Sequence, residues 1–162
     1  MERAVFESLL HALDEARERV DAAIASVPGS AWDEVIHTGD GAWTRRQLLA
    51  HMAANDLRQL IRIRVGAGIP LPSDPEDYEA QADVHTWNQA RVDERANRSI
   101  EDLRLELRIN RDRLIALLIG LTNEQRDRKM PFRGEPTPLT DMVPTLIGHL
   151  DQHGAELTAA FD

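Results

Sequence analysis

Three histidines carry the chemistry this sequence is equipped for: His51, His149 and His153. The last two lie four residues apart on a seam that runs Leu139, Met142, Leu146, His149, His153, Leu157. Steps of three and four put side chains on one helical face, so both imidazoles fall where core side chains belong. Two neutral imidazoles stacked in this way can share one divalent ion, at about 2.0–2.1 Å per nitrogen for zinc. His51 sits beside Leu48 and Met52, close to a second apolar stripe. A ligand from that second helix would put three nitrogens on one side of an ion and leave the other side open. Water or substrate takes the open side in a catalytic site, whereas structural sites are closed. A histidine on an apolar stripe is more often a core residue with one hydrogen bond, yet burying three imidazoles demands several polar partners. His11 and His37 read as surface or loop residues, while His85, near Trp87 and Asn88, could face a cavity.

Composition narrows the setting. The absence of cysteine removes disulfides, thiolate metal sites and a cysteine nucleophile together. It fits a cytoplasmic protein. A chain of 162 residues suits one domain, residues 1–162, because domains commonly run about 100–200 residues. The net charge of −9 argues against a nucleic acid or an anionic membrane as partner, since both select basic surfaces. A small molecule is the expected substrate. The first twenty residues carry acids throughout and do not read as a signal peptide. No apolar run approaches the roughly 18 residues that a membrane span needs. Local arginine clusters (Arg58, Arg62, Arg64; Arg104, Arg108, Arg111, Arg113) alternate with acids and read as solvated helix faces.

The elements that must position these histidines are helical. Val5, Leu9, Leu13, Val20 and Ile24 form one stripe over about residues 3–26, which Pro28-Gly29-Ser30 ends. A loop runs to Trp43, and Thr44 to Gln47 reads as a capping box opening a second helix. Its expected apolar face is Leu48, Leu49, Met52, Leu57, Leu60 and Ile61, with Gly66 and Gly68 closing it. Pro70, Pro72 and Pro75 fill a linker, and Asp74-Pro75 has the form of another helix start, for a segment reaching about Asn97. Ser99 to Asp102 resembles a further capping box, opening a long helix through Leu121. Gly134, Pro136 and Pro138 mark a loop before a last helix starting near Thr140 or Asp141, with Pro144 in its first turn. The sum is an all-α bundle of four principal helices.

The segment Trp43 to His51 resembles the second-helix signature of the DinB-like superfamily. That group includes the amino-terminal domain of mycothiol-dependent maleylpyruvate isomerase and the bacillithiol transferases. Thr137-Pro138-Leu139 through His149-Leu150-Asp151-Gln152-His153 resembles its last helix, and Thr86 to Gln89 resembles a stretch seen in many members. The resemblance implies a DinB/YfiT-like four-helix bundle with an up-down-down-up arrangement, often dimeric. It implies His51, His149 and His153 as ligands of one divalent metal ion, zinc or nickel. It further implies a thiol-S-transferase working with mycothiol, bacillithiol or glutathione. Hydrolysis by a metal-bound water is the chemical alternative, and a non-catalytic bundle that sequesters a small molecule is the third. Trp87 and Asn88, with Trp43, are candidates to line the substrate cavity. Asp56 and Asp151 are candidate acceptors for imidazole N–H groups.

Overall fold

The computed structural model describes residues 3–38, 41–71, 84–132 and 134–159. Four long helices dominate: α1 (Arg3–Ser26), α2 (Arg45–Ala67), α4 (Ile100–Gly120) and α6 (Leu139–Leu157). The shorter α3 (Val84–Asp93) and α5 (Asn123–Asp127) lie between them. The expected helix start at Asp74-Pro75 lies outside the described residues. From Val84 the segment is helical only to Asp93, with turns following to Asn97.

Contacts along the helices fix their directions. Arg45, at the start of α2, donates to the Leu157 carbonyl at the end of α6, so these two are antiparallel. Arg19 grips Asp151 through two bonds of 2.9 and 3.1 Å, while Ser26 shares a groove with Thr158. Hence α1 and α6 run parallel. Arg46 reaches the Arg98 carbonyl at one end and Arg111 meets Asp56 farther along, so α2 and α4 are also parallel. The order α1, α2, α4, α6 is therefore up, down, down, up. Two consecutive parallel helices need a connection back along the bundle, and α3 (Val84–Asp93) lies in the chain between them.

Local chemistry accounts for the helix ends. The Thr44 hydroxyl accepts from the Gln47 N–H at 3.1 Å while the Gln47 side chain accepts from the Thr44 N–H at 2.8 Å. That reciprocal pair satisfies two orphan donors at the start of α2. Gly68 closes the same helix with φ 71°, a left-handed cap that glycine adopts without strain. Gly66 has a different reason: a Cβ there would stand 2.1 Å from Met130 Sδ.

Two expectations shift. The loops before α2 and α6 are antiparallel hairpins, β1 (Val35–Thr38) with β2 (Gly41–Thr44) and β3 (Lys129–Phe132) with β4 (Glu135–Pro138). Each hairpin ends on the residue that caps a histidine-bearing helix, Thr44 for α2 and Pro138 for α6. Four-residue strands are too short for alternation to register. Because α6 begins at Leu139, Pro144 falls beyond the first turn, where it removes one backbone bond instead of none.

The core is apolar on three of the long helices. Phe6, Leu13, Ala16, Val20 and Ile24 line α1, with Leu103, Leu107, Leu114 and Leu118 from α4 and Met142, Val143, Leu146 and Leu150 from α6. Each such leucine contributes about 1.5–3 kcal/mol by leaving water. Val5, expected on the α1 stripe, is exposed, and Phe6 takes its place. Helix α2 keeps Leu48, Leu49 and Met52 of its expected stripe in the core and departs from it beyond them. Beyond Met52 its buried positions are Ala53, Ala54, Asn55, Asp56, Arg58, Gln59, Arg62 and Ile63, while Leu57, Leu60 and Ile61 are only partly covered. Arg58, Arg62 and Arg111 are thus buried groups, not members of solvated faces.

Candidate metal centre

The bundle brings His51, His149 and His153 together. Their ligand nitrogens all lie within 4.8 Å of one another. Nε2 of His149 is 3.0 Å from Nε2 of His153 and 3.4 Å from Nε2 of His51. Around a tetrahedral zinc with bonds of about 2.0–2.1 Å, donor nitrogens stand about 3.3–3.4 Å apart. The spacing therefore fits a shared ion, and the donor set suits zinc or nickel. His51 and His153 are buried at 2% and 1% exposure, whereas His149 is half-buried and forms the approachable side.

Several elements hold the rings in place. Arg45 is a buried staple between the start of α2 and the end of α6. It bonds the carbonyls of Leu157 and Ala159 and the Glu34 carboxylate at 2.9–3.0 Å. The Leu157 carbonyl is among the orphans at a helix end, so the staple satisfies it while fixing the register of α2 against α6. The four-residue step on α6 stacks His149 and His153, whose rings meet edge to face with centroids 4.2 Å apart. Trp43, at the end of β2, packs against His51 with centroids 5.0 Å apart.

Hydrogen bonding and charge prepare the nitrogens. Nδ1 of His153 meets the Glu156 carboxylate at 2.5 Å. A carboxylate there accepts the ring N–H and leaves the Nε2 lone pair facing the cluster. Burial holds the His51 pKa well below its usual value, reinforced by repulsion from His153, His149 and Arg58. At neutral pH that ring is an uncharged donor, as coordination requires. On the far side of His149, Nδ1 lies 3.4 Å from the amide nitrogen of Asn55.

The residues expected around the triad divide. Asp56 serves Arg111 at 2.9 Å and Asp151 serves Arg19, so neither acts as an imidazole acceptor. Glu156 takes that role at His153. Asn88 and Trp43 line an open groove with His85, Thr86 and Gln89, and Trp43 also packs against His51. Trp87 packs under the guanidinium of Arg58, 4.5 Å from its ring centroid, with Arg91 at 5.8 Å. His11 is exposed beside Glu15, and His37 lies in β1. A narrow cavity on the other side touches His149 and is lined by Asn55, Gln59, Arg17, Arg111 and Leu146 among others. No helix among the described residues is long and apolar enough to cross a membrane.

Comparison with known proteins agrees with this architecture. The fold matches YfiT from Bacillus subtilis, described as "a probable metal-dependent hydrolase with an unusual four-helix bundle topology". The TM-score is 0.68 at 21% identity, over 98% of this chain and 86% of that one. At this identity the likeness establishes the shared fold. No curated protein matches the sequence. The sequence profile of the DinB superfamily spans residues 12–157, which include all three histidines, and the chain belongs to that family.

Proposed function

We propose that His51, His149 and His153 hold one divalent ion, zinc or nickel, and that the protein is a metal-dependent enzyme acting on a small molecule, with hydrolysis as the leading reaction. The observation that supports this is the convergence of three Nε2 atoms from two helices at 3.0 and 3.4 Å. An ion bound by three neutral nitrogens keeps its full charge and lowers the pKa of a water or thiol at an open position. The chain's own residues supply the rest. Glu156 orients His153, Trp43 fixes the face of His51, and half-buried His149 marks the side from which a substrate approaches. Asn88, with Trp43, is the proposed substrate contact in the adjoining groove, while Trp87 stacks on Arg58. YfiT's description as a probable hydrolase points the same way.

Thiol-S-transfer is the second reading, favoured by the resemblance of the Trp43–His51 segment to the second-helix signature of a superfamily that includes thiol transferases. With no cysteine in the chain, the sulfur must come from a co-substrate such as mycothiol, bacillithiol or glutathione. The acidic surface disfavours nucleic acid.

Elemental mass spectrometry of untagged protein tests the centre. Wild type is expected to carry about one ion per chain, as a three-histidine site predicts. His149→Ala is expected to carry almost none. Substoichiometric metal that survives His149→Ala would leave the non-catalytic bundle as the better reading. For the loaded protein, product formation from esters or amides without any thiol supports hydrolysis, and a strict thiol requirement supports transfer.

A further inference from the structure

All four long helices contribute to the wall of the narrow cavity that touches His149. Leu13, Leu114, Leu146 and Leu150 make most of it apolar, and two guanidiniums, Arg17 from α1 and Arg111 from α4, also line it. Both guanidiniums are only partly occupied. Arg17 directs Nη1 to Asp14 at 3.2 Å and Nη2 to Asp112 at 2.6 Å. Arg111 directs Nε to Asp56 at 2.9 Å and Nη1 to Asp21 at 3.3 Å. Arg17 Nε and Arg111 Nη2 remain, both buried and both without a hydrogen-bond partner among the described residues. A guanidinium has donors and no acceptor, so each of these atoms calls for an acceptor from outside the chain. Buried donors left unmet are costly, and folded proteins contain few of them.

Charge defines the acceptor further. Asp14, Asp112 and Asp21 are 57%, 61% and 65% exposed, so solvent screens them from the interior. Inside, the side chains of Arg111 and Arg17, at 3% and 18% exposure, face one buried carboxylate, Asp56. The interior is thus one negative charge short. Size narrows the choice again, because the cavity volume is about 10 Å³, close to the room one water takes. A flat carboxylate head enters such a space with a small shift of Arg17, the more exposed of the two arginines, whereas a tetrahedral phosphate is too large. We propose that this cavity binds the carboxylate head of a small aliphatic acid, with Arg17 Nε and Arg111 Nη2 as its donors. Its two oxygens accept from two guanidiniums at once, its charge balances theirs, and its short carbon chain lies against the leucine walls. No imidazole nitrogen takes part, so the site stands or falls independently of the metal centre.

NMR of 15N-labelled protein tests the site, with propionate as the probe, propionamide as its neutral counterpart and inorganic phosphate as the oversized anion. The arginine Nε–H signals report on the donors directly, and the backbone amides of α1 and α4 follow binding in the variants. Propionate should shift the Arg17 Nε–H signal saturably, with a Kd of about 1–10 mM, and the other two probes should leave it in place. Arg17→Met should weaken propionate binding at least about tenfold. Ile115→Phe, which narrows the cavity and keeps both guanidiniums, should weaken it as well, and it decides the matter if Arg17→Met does not fold. A shift that never saturates, an equal response to propionamide, or wild-type affinity in the folded variants overturns the proposal and leaves a cavity for one water. The titration is run on the protein as purified and again after treatment with a chelator. Binding that disappears with the metal would be carboxylate held by an ion at the triad, and overturns the proposal too.

Discussion

Two buried polar clusters share helix α2 and are built on opposite terms. Around Asp56 the charges answer one another: Arg111 Nε meets Asp56 at 2.9 Å and Arg111 Nη1 meets Asp21 at 3.3 Å. Around His51 three imidazole rings turn Nε2 atoms toward one another. The first cluster pairs its charges within the chain, leaving Arg111 Nη2 over, and ties α2 to α4 and α1. The second gathers three ring nitrogens within 4.8 Å of one another, a set that one cation could share. A buried polar group paired inside the chain serves the fold, whereas one that needs an outside partner serves function.

Breaking each cluster separates these roles. The largest stability effect is expected from Arg111→Met, which leaves Asp56 buried without its cation. Removing one partner of a buried pair costs about 3–5 kcal/mol, a large share of a typical domain's 5–15 kcal/mol. Urea denaturation should show that loss, with metal content per folded chain unchanged. His149→Ala should do the reverse, abolishing metal binding while changing metal-free stability by only about 1 kcal/mol. Equal effects of both substitutions on both measurements would dissolve the distinction.

A smaller effect sharpens the comparison within the triad. Glu156→Gln keeps the size of the side chain that meets His153 but removes its charge. Loss of such a supporting carboxylate typically weakens metal binding about 10–100-fold, equal to about 1.4–2.7 kcal/mol. Chelator competition on the variant should fall in that range. Unchanged affinity would mean that Glu156 orients nothing and that His153 is held by packing alone.

The sequence disclosed these two clusters unequally. Apolar steps of three and four revealed the four long helices, and the Thr44 and Ser99 capping signals placed two of their starts correctly. The triad was legible because His149 and His153 interrupt an otherwise apolar seam. Its supports were harder to read. Glu156 stands three residues after His153, and Asn55 and Gln59 follow His51 in steps of four, so a ladder of polar residues on one face was present. An apolar stripe assigned to Leu57, Leu60 and Ile61 hid it, because polarity alone does not tell a buried face from a wet one. The Arg111–Asp56 pair was illegible for another reason: its partners are 55 residues apart, and only the parallel packing of α2 and α4 joins them.

The most delicate difference between the clusters lies in their response to pH. His51 has a folded-state pKa held well below the ordinary 6.5 by burial and by its histidine and Arg58 neighbours. Above that value neither the folded nor the unfolded chain binds a proton there, and stability is indifferent to pH through this group. Below it the unfolded chain takes up the proton first, so metal-free stability falls by up to about 1.4 kcal/mol per pH unit until the folded-state pKa is reached. Asp56 runs the other way. Burial raises its pKa above 3.8 despite Arg111, so the folded chain binds that proton first and stability falls as pH rises through the window above 3.8. Comparing wild type with His51→Gln cancels the carboxylate, which both proteins share. The stability difference between them should be constant above pH 6.5 and shrink steadily below it, measured by urea denaturation of chelator-treated protein. A difference that stays flat from pH 7.5 to 5.5 would mean that His51 is as easily protonated as a histidine in water, and that burial does not disfavour its charged form.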